Sequence, residues 1–345
     1  MRVAQLAPLW KPVPPKKYGG TELMVADLSE GLQELGVDVT VFCCGGSTVK
    51  TERVEVITKP MYDLMHGFNF SWVSPHEFLT FEALFARLKD FDIVHNHLGV
   101  HPLVFAPLLP IPMVTTLDSS VPPDFPYLAE HFKDNPFISI SDAQRANAPY
   151  LNYIETIHHG VDISRFKPCF DGDKGYLFFI GTLSPNKGIH LAVQAAKELG
   201  EELIIAGEIR EADRIFLEKE VWPFVDGKQI RFIGEVGHRE KSKLYANAKA
   251  VLFPIQWNEA FGLVMIEALA SGTPVIAYHN GSAPEVIDDG KTGFIVKTFS
   301  QFKRSIKNVG HISRIACREA AEKRFDRAIM AKKYLSRYQQ MTHII

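Results

Sequence analysis

Short apolar runs, each ended by a glycine- or proline-bearing turn, alternate along the chain with longer segments of helical character. The first run, Arg2-Val-Ala-Gln-Leu-Ala, leads through a proline-rich loop to Gly19-Gly20 and a predicted helix over 21–35. Gly36 closes that helix, and Val-Asp-Val-Thr-Val-Phe over 37–42 alternates as a strand. Asp92-Ile-Val-His, Pro112-Met-Val-Thr-Thr and Pro136-Phe-Ile-Ser-Ile-Ser predict further short strands. The pattern restarts at Tyr176-Leu-Phe-Phe-Ile-Gly181. From there it predicts a helix over 188–199 and strands at Leu203–Gly207, Ile230–Gly234, Ala250–Pro254 and Val275–Ala277. Such alternation in both halves predicts an α/β protein with parallel sheets covered by helices. Ser164 to Gly175 has linker composition, which sets the expected domains at 1–165 and 166–322, with a tail at 323–345.

A chain of 345 residues suits two domains better than one core. With 46% hydrophobic and 23% charged residues it matches a globular protein. A net charge of −2 and a pI near 6.7 leave no electrostatic footprint for nucleic acid. Four cysteines, two of them the adjacent Cys43-Cys44, form no disulfide framework and no metal-ligand spacing. No apolar run reaches spanning length, and the chain opens on a strand without a signal peptide. These features predict a soluble, cytoplasmic protein. Two aromatic-rich segments, Met61 to Phe81 and Pro122 to Phe132, suit core or loop-covering roles, or the lining of an acceptor pocket.

The richest chemistry lies in Pro254-Ile-Gln-Trp-Asn-Glu259-Ala-Phe-Gly262-Leu-Val-Met-Ile-Glu267-Ala-Leu-Ala-Ser-Gly-Thr-Pro274. Met265, Ile266, Ala268, Leu269 and Ala270 suit a buried helix, which Ser271-Gly-Thr-Pro stops. A helix starting near Gly262 points unpaired amides and a positive dipole end at whatever precedes it, a phosphate site built from backbone. Two carboxylates beside such a cradle suit hydroxyls rather than phosphate, as on a sugar and a ribose. Loop and helix glutamates are otherwise ordinary solvated charges. The local chemistry reads as nucleotide-sugar recognition.

Taken with three further segments, this stretch resembles glycosyltransferase family 4. The resemblance covers nearly the whole chain. It implies a GT-B fold, two facing Rossmann-like domains with a cleft between them, and a C-terminal helix that crosses back to the N-terminal domain. It implies that Glu259 meets hydroxyls of the donor sugar, that Glu267 meets the ribose, and that amides of Phe261-Gly262-Leu263-Val264 hold the distal phosphate. Phe179-Ile-Gly-Thr-Leu-Ser-Pro-Asn-Lys187-Gly188 is a second match, with Lys187 as the cation that stabilises charge on the departing diphosphate. The family usually carries Arg where this chain has Thr182. In the third, Tyr18-Gly19-Gly20-Thr21-Glu22, the paired glycines border the donor phosphate and the acceptor. The fuller Pro14-Pro-Lys-Lys-Tyr-Gly-Gly-Thr-Glu is similar to a subgroup of glucosyltransferases acting on small acceptors such as tetrahydrobiopterin. Weaker matches place Val236 at a position whose backbone meets the base, Gly281 to Val296 after the donor-domain helix, and Phe325 to Tyr338 as the closing helix.

One departure concerns Val114-Thr-Thr-Leu-Asp118, where the family commonly has His near the reacting sugar. Asp118 can accept from a sugar hydroxyl or stabilise positive charge at the anomeric carbon, and it equally suits a changed or lost function. The cluster His95-Asn-His97-Leu-Gly-Val-His101 has no His-Glu-x-x-His pattern and no evident carboxylate partner, so a structural role is expected.

The resemblance implies a retaining hexosyltransferase, using a nucleoside diphosphate sugar (UDP-glucose foremost) and an acceptor hydroxyl, with no metal or other cofactor and no nucleic-acid partner. Asp118 and Thr182 leave room for a non-catalytic nucleotide-sugar binder. A sugar-nucleotide epimerase of like architecture is a third class. A nicotinamide dehydrogenase is disfavoured because no Gly-x-Gly-x-x-Gly occurs. The acidic first helix argues against docking on an anionic membrane through that element.

Overall fold

The computed structural model describes residues 1–64, 73–118, 130–170 and 175–343. The aromatic-rich stretches over 65–72 and 122–129 therefore lie outside the described residues. The chain forms two compact units, Met1–Gly160 together with Arg327–Ile345, and Val161–Asp326. The seam lies at 160/161 rather than at 165/166, because Val161 donates its N–H to Phe325 O at 2.9 Å and bridges Asp326, which ties it to the second unit.

The first unit holds strands β1 (Arg2–Leu6), β2 (Asp38–Cys44), β3 (Glu52–Ile57), β4 (Ile93–Asn96), β5 (Met113–Thr116), β6 (Phe137–Ser139) and β7 (Tyr153–Thr156). They make one parallel sheet in the order β3-β2-β1-β4-β5-β6-β7. Val3 of β1 pairs with Val39 on one side and Ile93 on the other. Strand order therefore reverses between β1 and β4, and in such sheets ligands bind beyond the carboxyl ends of the strands at that point. Alternation along β1 sends Val3 to one layer and Ala4 and Leu6 to the other.

The helix Gly20–Glu34 and the terminal helix Arg327–Thr342 pack together over the first layer. Their junction is electrostatic as well as apolar. Arg327 reaches Glu30 at 2.9 Å, Glu34 at 2.5 Å and Asp27 at 3.7 Å. The acidity of the first helix is thus spent largely on an internal arginine, and Glu22, Asp27 and Glu30 are buried rather than facing solvent. The helix therefore presents little of its negative charge to solvent, and its acidity does not keep it from an anionic membrane. No helix among the described residues is long and apolar enough to cross a membrane.

The second unit repeats the plan with β8 (Leu177–Ile180), β9 (Leu203–Ala206), β10 (Ile230–Phe232), β11 (Ala250–Phe253), β12 (Val275–Tyr278) and β13 (Gly293–Val296). All pair in parallel, in the order β10-β9-β8-β11-β12-β13, so the reversal falls between β8 and β11. Both units are Rossmann-like.

Candidate functional site

Lys187 and Glu259 come together just beyond the carboxyl ends of β8 and β11, the two strands that flank the reversal. After β8 the chain turns through Ser184, whose hydroxyl accepts from Lys187 N, and ends the turn at Gly188. Gly188 has φ +73, and a Cβ there would strike the carbonyl of Pro254 just after β11. Gln256 N donates to Asn186 O at 2.8 Å, so the loops following the two strands are stitched to each other. This brings the Lys187 ammonium onto the Glu259 carboxylate, an ion pair that is largely shielded from water. The Trp257 indole donates to the same Glu259 oxygen at 3.0 Å and lies under the Lys187 ammonium at 5.5 Å. Glu259 is fixed through its backbone too, since Ser282 N donates to Glu259 O at 3.1 Å.

The helix predicted near Gly262 runs Leu263–Ala270, with Gly262 as its N-cap at φ +87. No side chain caps it, so Leu263 and Val264 open a first turn whose amides are not spent on a capping residue. Phe261 is buried against Phe325 at 6.2 Å, and its carbonyl accepts from the Ser282 hydroxyl. Glu267 sits inside this helix with its side chain 3% exposed. Lys241 pairs with one of its oxygens and Tyr245 donates to the other at 2.8 Å. Burial and the facing carboxylate raise the Tyr245 phenol well above its ordinary range, so it remains a donor. Val236 is buried in the loop after β10.

In the first unit, Gly19 and Gly20 follow the loop from β1, and Gly19 caps the helix start at φ 160. Glu22 lies in that first turn. It accepts from Lys11 N at 3.2 Å, and burial pushes its carboxyl up to about 7. Asp118 follows β5 and is 4% exposed at its side chain. His97 Nδ1 meets Asp118 Oδ2 at 3.1 Å, and His97 Nε2 meets Gln5 Oε1 at 2.8 Å. His97 therefore does have a carboxylate partner, which spacing along the sequence could not show because 21 residues separate the two. His101 has one as well, Glu77 at 3.8 Å. Among the described residues no group of three or more His, Cys, Asp or Glu is placed to hold a metal ion.

With this geometry, comparison with known proteins is decisive. Residues 18–165 match the family described as Glycosyltransferase Family 4, and residues 161–324 match Glycosyl transferases group 1. Together the two matches indicate a glycosyltransferase of the family 4 type. It is similar to AviGT4, a glycosyltransferase involved in avilamycin A biosynthesis, at 26% identity and a TM-score of 0.79, covering 100% of this chain and 99% of that one. Anabaena HepE, solved in complex with UDP and glucose, shares the fold at 17% identity and a TM-score of 0.76, over 99% of this chain and 100% of that one. The spore coat protein SA of Bacillus subtilis (strain 168) is 25% identical over 183 residues, 46% of this chain and 48% of that protein, so the chain spans about half that relative's length.

In this glycosyltransferase the sequence marked Lys187, Glu259 and Glu267 but missed the residues that hold them. Trp257 lies two residues before Glu259, and Lys241 and Tyr245 lie one helical turn apart on the helix His238–Asn247. That i, i+4 spacing is the one available signal, and it is common on exposed helices. Thr182, standing where the family usually carries Arg, is 2% exposed and its hydroxyl has no hydrogen-bond partner.

Proposed function

We propose that this glycosyltransferase transfers a glucosyl unit from UDP-glucose to an acceptor hydroxyl, with retention at the anomeric carbon. The observation that carries the reading is the pairing of Lys187 with Glu259 at the reversal of the second sheet, beside the uncapped start of the helix Leu263–Ala270. A diphosphate arriving there meets one ammonium and a row of amides. The sugar it carries meets a carboxylate able to accept from hydroxyls. When the bond from the anomeric carbon to the phosphate oxygen breaks, negative charge grows on the diphosphate, and Lys187 stabilises that charge more than the ground state. The acceptor oxygen bonds to the anomeric carbon on the face the phosphate leaves, and its proton passes to a departing phosphate oxygen. Glu267, held by Lys241 and Tyr245, is assigned to the ribose hydroxyls.

The assignment of UDP-glucose is supported by the UDP and glucose bound to HepE, a protein of the same fold. A small hydroxylated acceptor, tetrahydrobiopterin included, is what the similarity of the Pro14 to Glu22 segment to that glucosyltransferase subgroup implies. Asp118 and Gly19-Gly20 are the first unit's contributions to substrate binding. The test is release of UDP from UDP-glucose by the purified protein across an acceptor panel containing tetrahydropterin and simple sugars. UDP release with a glucosylated product of unchanged anomeric configuration supports the reading. No release with any acceptor, while UDP-glucose still binds, favours a non-catalytic binder, as the orphaned Thr182 hydroxyl would also suit.

A further inference from the structure

A cavity of about 500 Å³ lies across the amino ends of β1, β2 and β3 in the first unit, where Arg2, Asp38 and Glu52 line it. The carboxyl ends, where a sheet of this kind takes its ligand, are on the opposite side. The helix Gly20–Glu34 finishes at the same cavity. Gly36, at φ +81, donates to Gln33 O at 3.0 Å, and Val37 donates to Leu32 O at 3.1 Å. The last turn of that helix carries no basic residue, so the negative end of its dipole is not offset on the helix itself.

Charge in the cavity is unevenly matched. Arg2 pairs with Asp92 at 2.7 Å, and Arg87 pairs with Glu52 at 2.8 Å and with Asp90 at 3.0 Å. Counting Asp92, four carboxylates face two guanidiniums, and Asp38 has no ion-pair partner among the described residues. The guanidiniums are thus already neutralised, and the surplus is negative. Thr40 lines the same cavity two residues after Asp38. It is 5% exposed, and its hydroxyl has no hydrogen-bond partner among the described residues. Native structures seldom leave such a hydroxyl unsatisfied without a ligand or water to complete it. Val37, Val39 and Phe91, all buried, supply an apolar wall.

We propose that this cavity binds a linear aliphatic polyamine. An ammonium group carries three donors and no acceptor, which matches the Asp38 carboxylate and the Thr40 hydroxyl together. A second ammonium meets Glu52 and Asp90, since each spends only one oxygen on Arg87. The methylene chain between them suits the wall formed by Val37, Val39 and Phe91. A phosphate does not fit, because carboxylates outnumber guanidiniums. A single metal ion does not fit either, because among the described residues no three His, Cys, Asp or Glu converge to hold one. The cavity lies within one unit and uses none of the residues assigned to the sugar nucleotide, so it stands apart from the proposed transfer reaction.

Titration calorimetry of the whole chain with spermidine tests the site, beside putrescine, magnesium chloride and inorganic phosphate. Saturable spermidine binding is expected, tighter than that of putrescine and weakened as sodium chloride rises. Asp38→Asn is expected to lower spermidine affinity by about tenfold and Thr40→Val by about threefold. Glu211→Gln, which removes an exposed carboxylate from the second unit, is expected to leave it unchanged. Melting curves check that each variant folds, and valine suits a buried strand position. Backbone amide NMR signals of Gly36, Val37 and Asp38 in the parent protein, shifting with spermidine, support the same site without any substitution. Absence of spermidine binding, amide signals that do not move, equal losses in Asp38→Asn and Glu211→Gln, or displacement of spermidine by equimolar magnesium or phosphate would each overturn the proposal.

Discussion

The ammonium of Lys187 and the carboxylate of Glu259 neutralise each other across the strand reversal of the second sheet, although 72 residues separate them in sequence. A diphosphate and a sugar hydroxyl would compete for the same two groups. On the proposed reading, substrate binding is an exchange in which Lys187 passes to phosphate and Glu259 is released to the carbohydrate. The Lys187 side chain is 21% exposed and that of Glu259 15%, so water still reaches the pair and the exchange does not require fully stripping a buried charge.

Replacement of Glu259 by Gln separates the two roles. The Lys187 ammonium is then freer to meet phosphate, so UDP affinity is expected to hold or rise, while kcat for glucosyl transfer falls by about 10²-fold. Replacement of Lys187 by Ala is expected to weaken UDP binding and turnover together. Titration calorimetry with UDP beside steady-state rates distinguishes these outcomes. Loss of UDP affinity in Glu259→Gln would contradict the exchange.

Tyr245→Phe tests the support of Glu267. The phenol is fully buried and its hydrogen goes to the carboxylate. Its removal leaves that oxygen short of a donor, at a cost of about 1–3 kcal/mol. A lower melting temperature is expected, with a weakened preference for ribonucleotide over deoxyribonucleotide binding. An unchanged ratio of UDP to deoxy-UDP affinity would detach Glu267 from the ribose.

Gly188→Ala tests the stitching of the two loops. The added methyl group would meet the Pro254 carbonyl, at a φ of +73 that L residues rarely adopt. About 1–3 kcal/mol of destabilisation is expected from the backbone conformation alone, with displacement of Lys187 beside it. Reduced melting temperature together with weaker UDP binding checks it. A stable variant with native UDP affinity would show that the turn has room to relax.

Continuous apolar strands were the legible part of this fold. β8, β9 and β11 announce themselves because their residues are buried on both faces, so an unbroken apolar run is required. β3, β7 and β13 were not anticipated as strands. All three lie at sheet edges, where half-exposed positions such as Arg53, Glu55 and Glu155 erase the pattern. The site divides along similar lines. Gly262, Glu267 and Lys187 stand in local runs whose spacing carries their geometry, whereas the partners of Asp118 come from other strand ends. His97 and His159 reach it through strand order, which one-dimensional spacing does not encode.

Glu22 makes the pH dependence of the first unit testable, and its sign is fixed. Its carboxyl is raised from 4.5 to about 7, chiefly by burial, with nearby Asp118 adding in the same direction. Below pH 4.5 the group is protonated in both folded and unfolded chains, and its contribution is fully present. As pH climbs from 4.5 to 7 the unfolded chain ionises freely while the folded chain holds its proton, so stability falls, by on the order of 3 kcal/mol at the upper limit. Above pH 7 the loss levels off. Glu22→Gln does not titrate, so its stability relative to the parent is expected to improve between pH 5 and pH 7 and then stay constant. His95 and His159 shift in the opposite sense, with lowered values that favour the fold as pH rises, but both proteins share them and they cancel in the difference. Paired denaturation curves at pH 5, 6, 7 and 8 measure it. A difference that stays flat across the range would place the Glu22 carboxyl in contact with water or a compensating cation.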